Sequence, residues 1–76
     1  MTLADAAPRD RVRVTAVRPS RDPIYQRLLH LGVIRGREIE IVRRAPAGDP
    51  IEVRLMGCSL SLRREEARLV EVEALR

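Results

Sequence analysis

Apolar and polar positions alternate with a period of two along most of the chain. Between Arg11 and Arg18, Val12, Val14 and Ala16 share one parity, and Arg11, Arg13 and Thr15 share the other. That is the pattern of a strand with one buried face. Ile39 and Ile41 set against Glu38 and Glu40 predict a second strand over Glu38–Arg43. Ile51, Val53 and Leu55 set against Glu52, Arg54 and Met56 predict a third over Pro50–Met56. Leu60 and Leu62 place a fourth over Ser59–Arg63, and Val70 and Val72 against Glu71 and Glu73 place a fifth over Leu69–Glu73. Turn residues separate these runs. Ile34-Arg35-Gly36-Arg37 suits a type II turn, with Gly36 where a positive φ is needed. Ala45–Pro50 is turn-rich, and Gly57-Cys58 reads as a tight reversal. Cys58 shares the parity of Leu60 and Leu62, so it is expected as a small buried hydrophobe.

One segment changes period. Over Pro23–Leu31, at about 100° per residue, Ile24, Leu28 and Leu31 form a stripe, Tyr25 and Leu29 form a second beside it, and Gln26, Arg27 and His30 lie opposite. Asp22 is the expected cap of this helix, Pro23 suits its first position, and Gly32 closes it. The apolar sector is wide for so short a helix. Either the helix is deeply embedded, or its second stripe serves a partner. Shorter helical turns are expected behind Thr2, where Leu3 reaches the core before Pro8 stops the turn, and at Arg64–Ala67, where Glu65 and Glu66 cap or flank the N-terminus. Five short strands with one helix between the first two predict a mainly β fold. The expected architecture is a small five-stranded SH3-like barrel in one domain, residues 1–76, with the helix plugging one end. Closure of the barrel would remove unpaired edges.

Composition narrows the function. A chain of 76 residues leaves no room for a cofactor domain beside a substrate domain. Apolar residues make up 45% and charged residues 34%, as in globular proteins. No apolar run approaches the roughly 20 residues that span a bilayer, so direct membrane insertion is not expected. The opening MTLADAAPRD lacks the basic and apolar parts of a secretory signal, and a cytoplasmic location is expected. The net charge is +4 and all fifteen basic residues are Arg, but eleven acids are interleaved with them. Tyr25 is the sole aromatic residue, so the stacking platforms that hold single strands are missing. Nucleic acid is therefore not the expected partner.

Cys58 and His30 are each single, which excludes an internal disulfide and a cysteine-rich zinc site. They also fall short of the two imidazoles and one carboxylate that suit ferrous iron. No metal site and no cofactor is expected. Nor is there a catalytic set. Ser59 and Ser61 have no neighbouring base, adjacent Glu65 and Glu66 diverge by about 100° on a helical turn, and Gly48-Asp49-Pro50 lacks the Lys and following helix of a phosphate loop. The expectation is a protein that is not an enzyme.

Three runs carry a family resemblance. Arg27-Leu28-Leu29-His30-Leu31-Gly32-Val33-Ile34-Arg35-Gly36 resembles the RL-x-x-LG-(I/V)-x-PG segment of the FeoA family. Ala45–Val53 resembles that family's AP-x-GDP-(I/V)-x-(I/V) run, and Gly57 with Leu60–Ala67 resembles its G-x-x-(L/I)-x-LR-x-x-EA run. They occur in family order, and the match extends from about Leu3 to Glu73. Three positions depart from the pattern. Arg35 replaces the usual Pro, Cys58 stands where an aromatic or polar residue is common, and Arg9 follows Pro8 where Gly is frequent. A left-handed Arg costs about 1 kcal/mol or more, so a type I turn is expected at Pro8-Arg9. The resemblance implies a small cytosolic SH3-like domain acting in bacterial ferrous-iron uptake. Its implied partner is a FeoB-type permease with a cytosolic GTPase domain, which would recruit it to the inner face of the membrane.

The residues offered for that contact are Tyr25, Leu29 and Met56, with Arg43 and Arg44 guiding an acidic partner. The competing reading of Tyr25 and Leu29 is that they only complete the plug of the barrel. A weak homo-oligomer stays open. Two further readings also stay open: an effector or dimerisation module of a metal-dependent regulator, and a small-barrel nucleic-acid binder.

Overall fold

The computed structural model describes residues 1–20 and 23–75. The strands expected from alternation all form: β1 (Arg11–Val17), β2 (Glu38–Arg44), β3 (Ile51–Leu55), β4 (Cys58–Leu62) and β5 (Val70–Ala74). Helix α1 (Pro23–His30) lies between β1 and β2, and the one-turn helix α2 (Arg64–Ala67) joins β4 to β5. The expected cap Asp22 lies outside the described residues. The strands form one antiparallel sheet in the order β4-β3-β2-β1-β5. Its inner face is apolar because cross-strand partners share parity: Val12 with Ile39, Val14 with Val72, Ile41 with Val53, and Ile51 with Leu62. These residues are all buried, and Leu28 joins them from α1.

The SH3-like fold is present, but the ladder does not close: the hydrogen-bonded order ends at β4 and β5. Instead, the N-terminus covers part of the β5 edge. Thr2 bridges to Glu71, and the Val72 N–H donates to the Met1 carbonyl at 2.9 Å. A 3₁₀ turn over Leu3–Asp5 then drives Leu3 into the core, where it is fully buried. The Asp5 carboxylate accepts the Thr2 N–H at 3.0 Å and the Thr2 hydroxyl at 3.2 Å. These two donors hold its pKa below the ordinary carboxylate value.

The helix end follows from Gly32. Its φ of +90° allows the Gly32 N–H to reach the Leu29 carbonyl and the Val33 N–H to reach the Leu28 carbonyl, each at 3.0 Å. That closing pattern satisfies the last carbonyls of the helix. It ends α1 at His30, one residue before the expected boundary, and aims Val33 into the core.

Two bulges alter the expected parity. One falls between Val14 and Ala16, so Val17 rather than Ala16 packs against the core. The other falls between Ile41 and Arg43. After it Arg43 points to solvent, while Arg44 is half-buried.

A third departure concerns Arg9. Its φ is +74°, so the expected type I turn does not form. The Asp10 N–H donates to the Ala7 carbonyl at 3.0 Å across Pro8-Arg9, as in a type II turn. Further bonds fix this geometry. The Arg9 N–H donates to the Ile41 carbonyl at 2.7 Å, and the Ile41 N–H donates to the Asp10 carbonyl at 2.9 Å. The Ala7 N–H reaches the Asp10 carboxylate at 2.8 Å. Several hydrogen bonds of about 1 kcal/mol each outweigh the local preference of one side chain.

Candidate partner-docking surface

Two turns from distant parts of the chain meet beside the entry to β2. The first is Ile34–Arg37, which has the expected type II form, with Gly36 at φ +89° and the Arg37 N–H donating to the Ile34 carbonyl at 3.1 Å. It is stitched to β1 in both directions: the Gly36 N–H donates to the Val14 carbonyl, and the Val14 N–H donates to the Arg37 carbonyl, each at 2.8 Å. The turn is thereby held rigidly, with Val33 buried and Ile34 left 41% exposed.

The second turn is the β3–β4 hairpin. Met56 and Gly57 both adopt positive φ, +51° and +78°. Two successive left-handed residues match the twist of the flanking strands. The reversal is therefore Met56-Gly57, not the expected Gly57-Cys58, and Met56 has left the third strand. It stands 70% exposed at the tip. Cys58 opens β4 opposite Leu55 and is exposed, contrary to the expected burial. It shares the parity of Leu60 and Leu62, but β4 is an edge strand and burial falls along it: Leu62 is fully buried, Leu60 half-buried and Cys58 exposed, although its partner Leu55 is buried.

Ile34, Arg35, Gly36, Arg37, Glu38 and Met56 line a shallow open groove of about 480 Å³. The Arg37 guanidinium rests on the Met56 sulfur. Ile34 is not among the residues that the sequence offers for a partner, because it reads as the first position of a turn. Its signal was an Ile outside any strand parity, directly after a residue that supplies the core.

The other residues expected at the partner surface do not gather here. Tyr25 and Leu29 are half-buried on α1. Arg43 lies exposed near Glu52, at 3.6 Å. It lies six residues beyond Arg37, about 20 Å at strand rise. Arg44 is turned inward. Its Nε donates to the Ala6 carbonyl at 3.0 Å, and its Nη2 reaches the carbonyls of Ala4 and Ala6. That guanidinium pins the N-terminal 3₁₀ turn and lies away from the groove.

The most enclosed polar contact lies elsewhere, between the two helices. Glu66 is 2% exposed. Its carboxylate accepts the Arg63 N–H at 2.8 Å, capping α2, and takes the Arg27 guanidinium from α1. The capping role expected of this acidic pair is therefore met by Glu66, whose burial was not foreseen. His30 is exposed on α1, and among the described residues no three His, Cys, Asp or Glu side chains gather in a way that could hold a metal ion.

Comparison with known proteins decides the family. A family model described as the FeoA domain matches residues 1–74. The chain belongs to the FeoA family. The SH3-like fold and the three motif runs agree with that assignment. A fusion of Fe(2+) transport protein A with the Fe(2+) transporter FeoB from Porphyromonas gingivalis is 42% identical over 50 residues. The match takes in 66% of this FeoA chain and spans only 6% of that much longer protein. The solution structure of a FeoA-like protein from Clostridium acetobutylicum superposes with a TM-score of 0.92 at 38% identity, covering 100% of this chain and 87% of that one. The zinc-complexed FeoA of Stenotrophomonas maltophilia, described as a prokaryotic SH3 domain protein, superposes at 0.85 with 32% identity, covering 96% and 89%.

Proposed function

We propose that this FeoA domain serves ferrous-iron uptake as a non-catalytic accessory, docking on the cytosolic GTPase region of a FeoB-type permease. The observation that supports this reading is the P. gingivalis fusion, in which a segment 42% identical to this chain shares one polypeptide with FeoB. Fusing two modules replaces a weak bimolecular encounter by a high effective concentration. A fusion is therefore informative about partnership between the separate proteins. The mechanism is differential binding. A domain that prefers one conformational state of the permease raises the population of that state and needs no chemistry of its own. Among the described residues no helix is long and apolar enough to cross a membrane. In this reading the domain is cytoplasmic and reaches the membrane through its partner. Met56, Tyr25 and Leu29 remain proposed contacts, whereas Arg43 faces Glu52 away from the groove and the Arg44 guanidinium is engaged inside the fold.

Deletion of the gene, followed by a ferrous-uptake assay under low oxygen, tests the reading. Uptake should fall and should return when the chain is restored. Unchanged uptake in the deletion strain overturns the proposal.

A further inference from the structure

Cationic charge is distributed unevenly over this fold. Across the sheet, arginines meet glutamates: Arg11 with Glu38 at 3.7 Å, Arg13 with Glu73 at 3.4 Å, Arg54 with Glu40 at 3.3 Å and Arg18 with Glu71 at 3.6 Å. Asp5, Asp10 and Asp49 are taken up by backbone N–H groups. Among the described residues Arg9, Arg63, Arg64 and Arg68 also make no ion pair, but around Ile34 and Met56 the missing match coincides with exposed apolar side chains. Arg35 is exposed and has no carboxylate partner among the described residues, and Arg37 turns to the Met56 sulfur instead of an acid. Glu38, the one acid in the groove, is already shared by Arg11 and Arg13.

The same place carries two of the four large hydrophobic side chains left exposed among the described residues, Ile34 and Met56. They arrive from turns far apart in sequence and line one groove. Met56 also sits at φ +51°, a position where Gly or Asn is the ordinary choice. A methionine there costs backbone energy and stays 70% exposed, its sulfur meeting the Arg37 guanidinium rather than the core. Met and Arg are both enriched in protein interfaces.

We infer that Ile34 and Met56, flanked by Arg35 and Arg37, form the face that receives the permease, and that the receiving segment presents an apolar side chain between carboxylates. This rests on the proposed partnership with the permease and specifies its surface. The apolar pair supplies the desolvated centre, and the two guanidinium groups supply charge complementarity and register around it.

The test is a titration of the full chain against the detergent-solubilised full-length permease encoded in the same genome, at two salt concentrations. Three variants carry the inference. Ile34→Ser with Met56→Asn removes the apolar pair while leaving Asn at the left-handed position, and should weaken binding about tenfold or more. Arg35→Glu with Arg37→Glu should weaken it by at least as much and flatten its salt dependence. Met56→Leu keeps the apolar bulk and should bind within about threefold of the native chain. Thermal melting checks that each variant is folded, and Asn at position 56 should be no less stable than Met. Arg43→Glu, at the far end of β2, is the charge control and should bind almost as the native chain does. Native-like binding by folded Ile34→Ser/Met56→Asn overturns this surface and leaves the partnership standing. An equal loss from Arg43→Glu overturns it too, because binding would then follow net charge. Absence of binding by the native chain overturns the partnership and the surface together.

Discussion

Two regions of the molecule use the same side chain in opposite ways. At the N-terminal turn and between the helices, arginine is a fastener. Arg44 reaches the carbonyls of Ala4 and Ala6, and Arg27 reaches the buried Glu66. Around Ile34 and Met56, arginine makes no such tie: Arg35 has no partner among the described residues, and Arg37 lies on a methionine sulfur. The difference teaches that total charge says little about this protein. What counts is which guanidinium groups the backbone has already claimed. A fold of 76 residues has little core to spare, so polar fasteners at its periphery matter more than they would in a larger domain. An arginine left unclaimed beside exposed apolar groups is then the informative one.

The contrast can be broken or sharpened by removing one member at a time. Glu66→Ala should have the largest effect. It strips the α2 cap from the Arg63 N–H and leaves Arg27 without its partner, at a cost of about 2 kcal/mol, which lowers Tm by roughly 10 °C in a domain of this size. A thermal melt that moves by less than a few degrees would show that the tie between α1 and α2 is ornamental. Arg44→Ala should come next, losing about 1.5 kcal/mol in chemical denaturation because charge-assisted bonds to two carbonyls disappear. Arg43→Ala, one residue away but facing solvent, is the natural control and should lose far less. Arg35→Ala should be smallest, within about 0.5 kcal/mol of the native chain. If it destabilises as much as Arg44→Ala, the guanidinium is structural and the contrast fails.

Much of the architecture could be read directly. Val12 and Val14, Ile39 and Ile41, Ile51 and Val53, and Val70 and Val72 all face the core as alternation required, and Gly32 and Gly36 both adopt the positive φ their turns need. These are local properties: period two assigns a face, and a left-handed turn position selects glycine. Three of the departures share one cause. Ala16, Met56 and Cys58 each lie at or beyond a place where the strand register shifts or the strand ends. Arg9 was misread because hydrogen bonds to β2 overrule its own preference. Of the proposed docking surface, only Met56 was legible in the sequence. Ile34 carries no periodic signal that sets it apart from a turn residue.

Taken alone, the order of residues determined the five strands, the helix between the first two, the turn glycines and the family, because each depends on neighbours only a few positions away. The tertiary structure alone decided which arginines are consumed and which are free, and that Ile34 should stand beside Met56. Those outcomes depend on two bulges and on the meeting of two turns. A one-residue shift in register reverses the face of every side chain after it, and no short stretch of sequence records that shift.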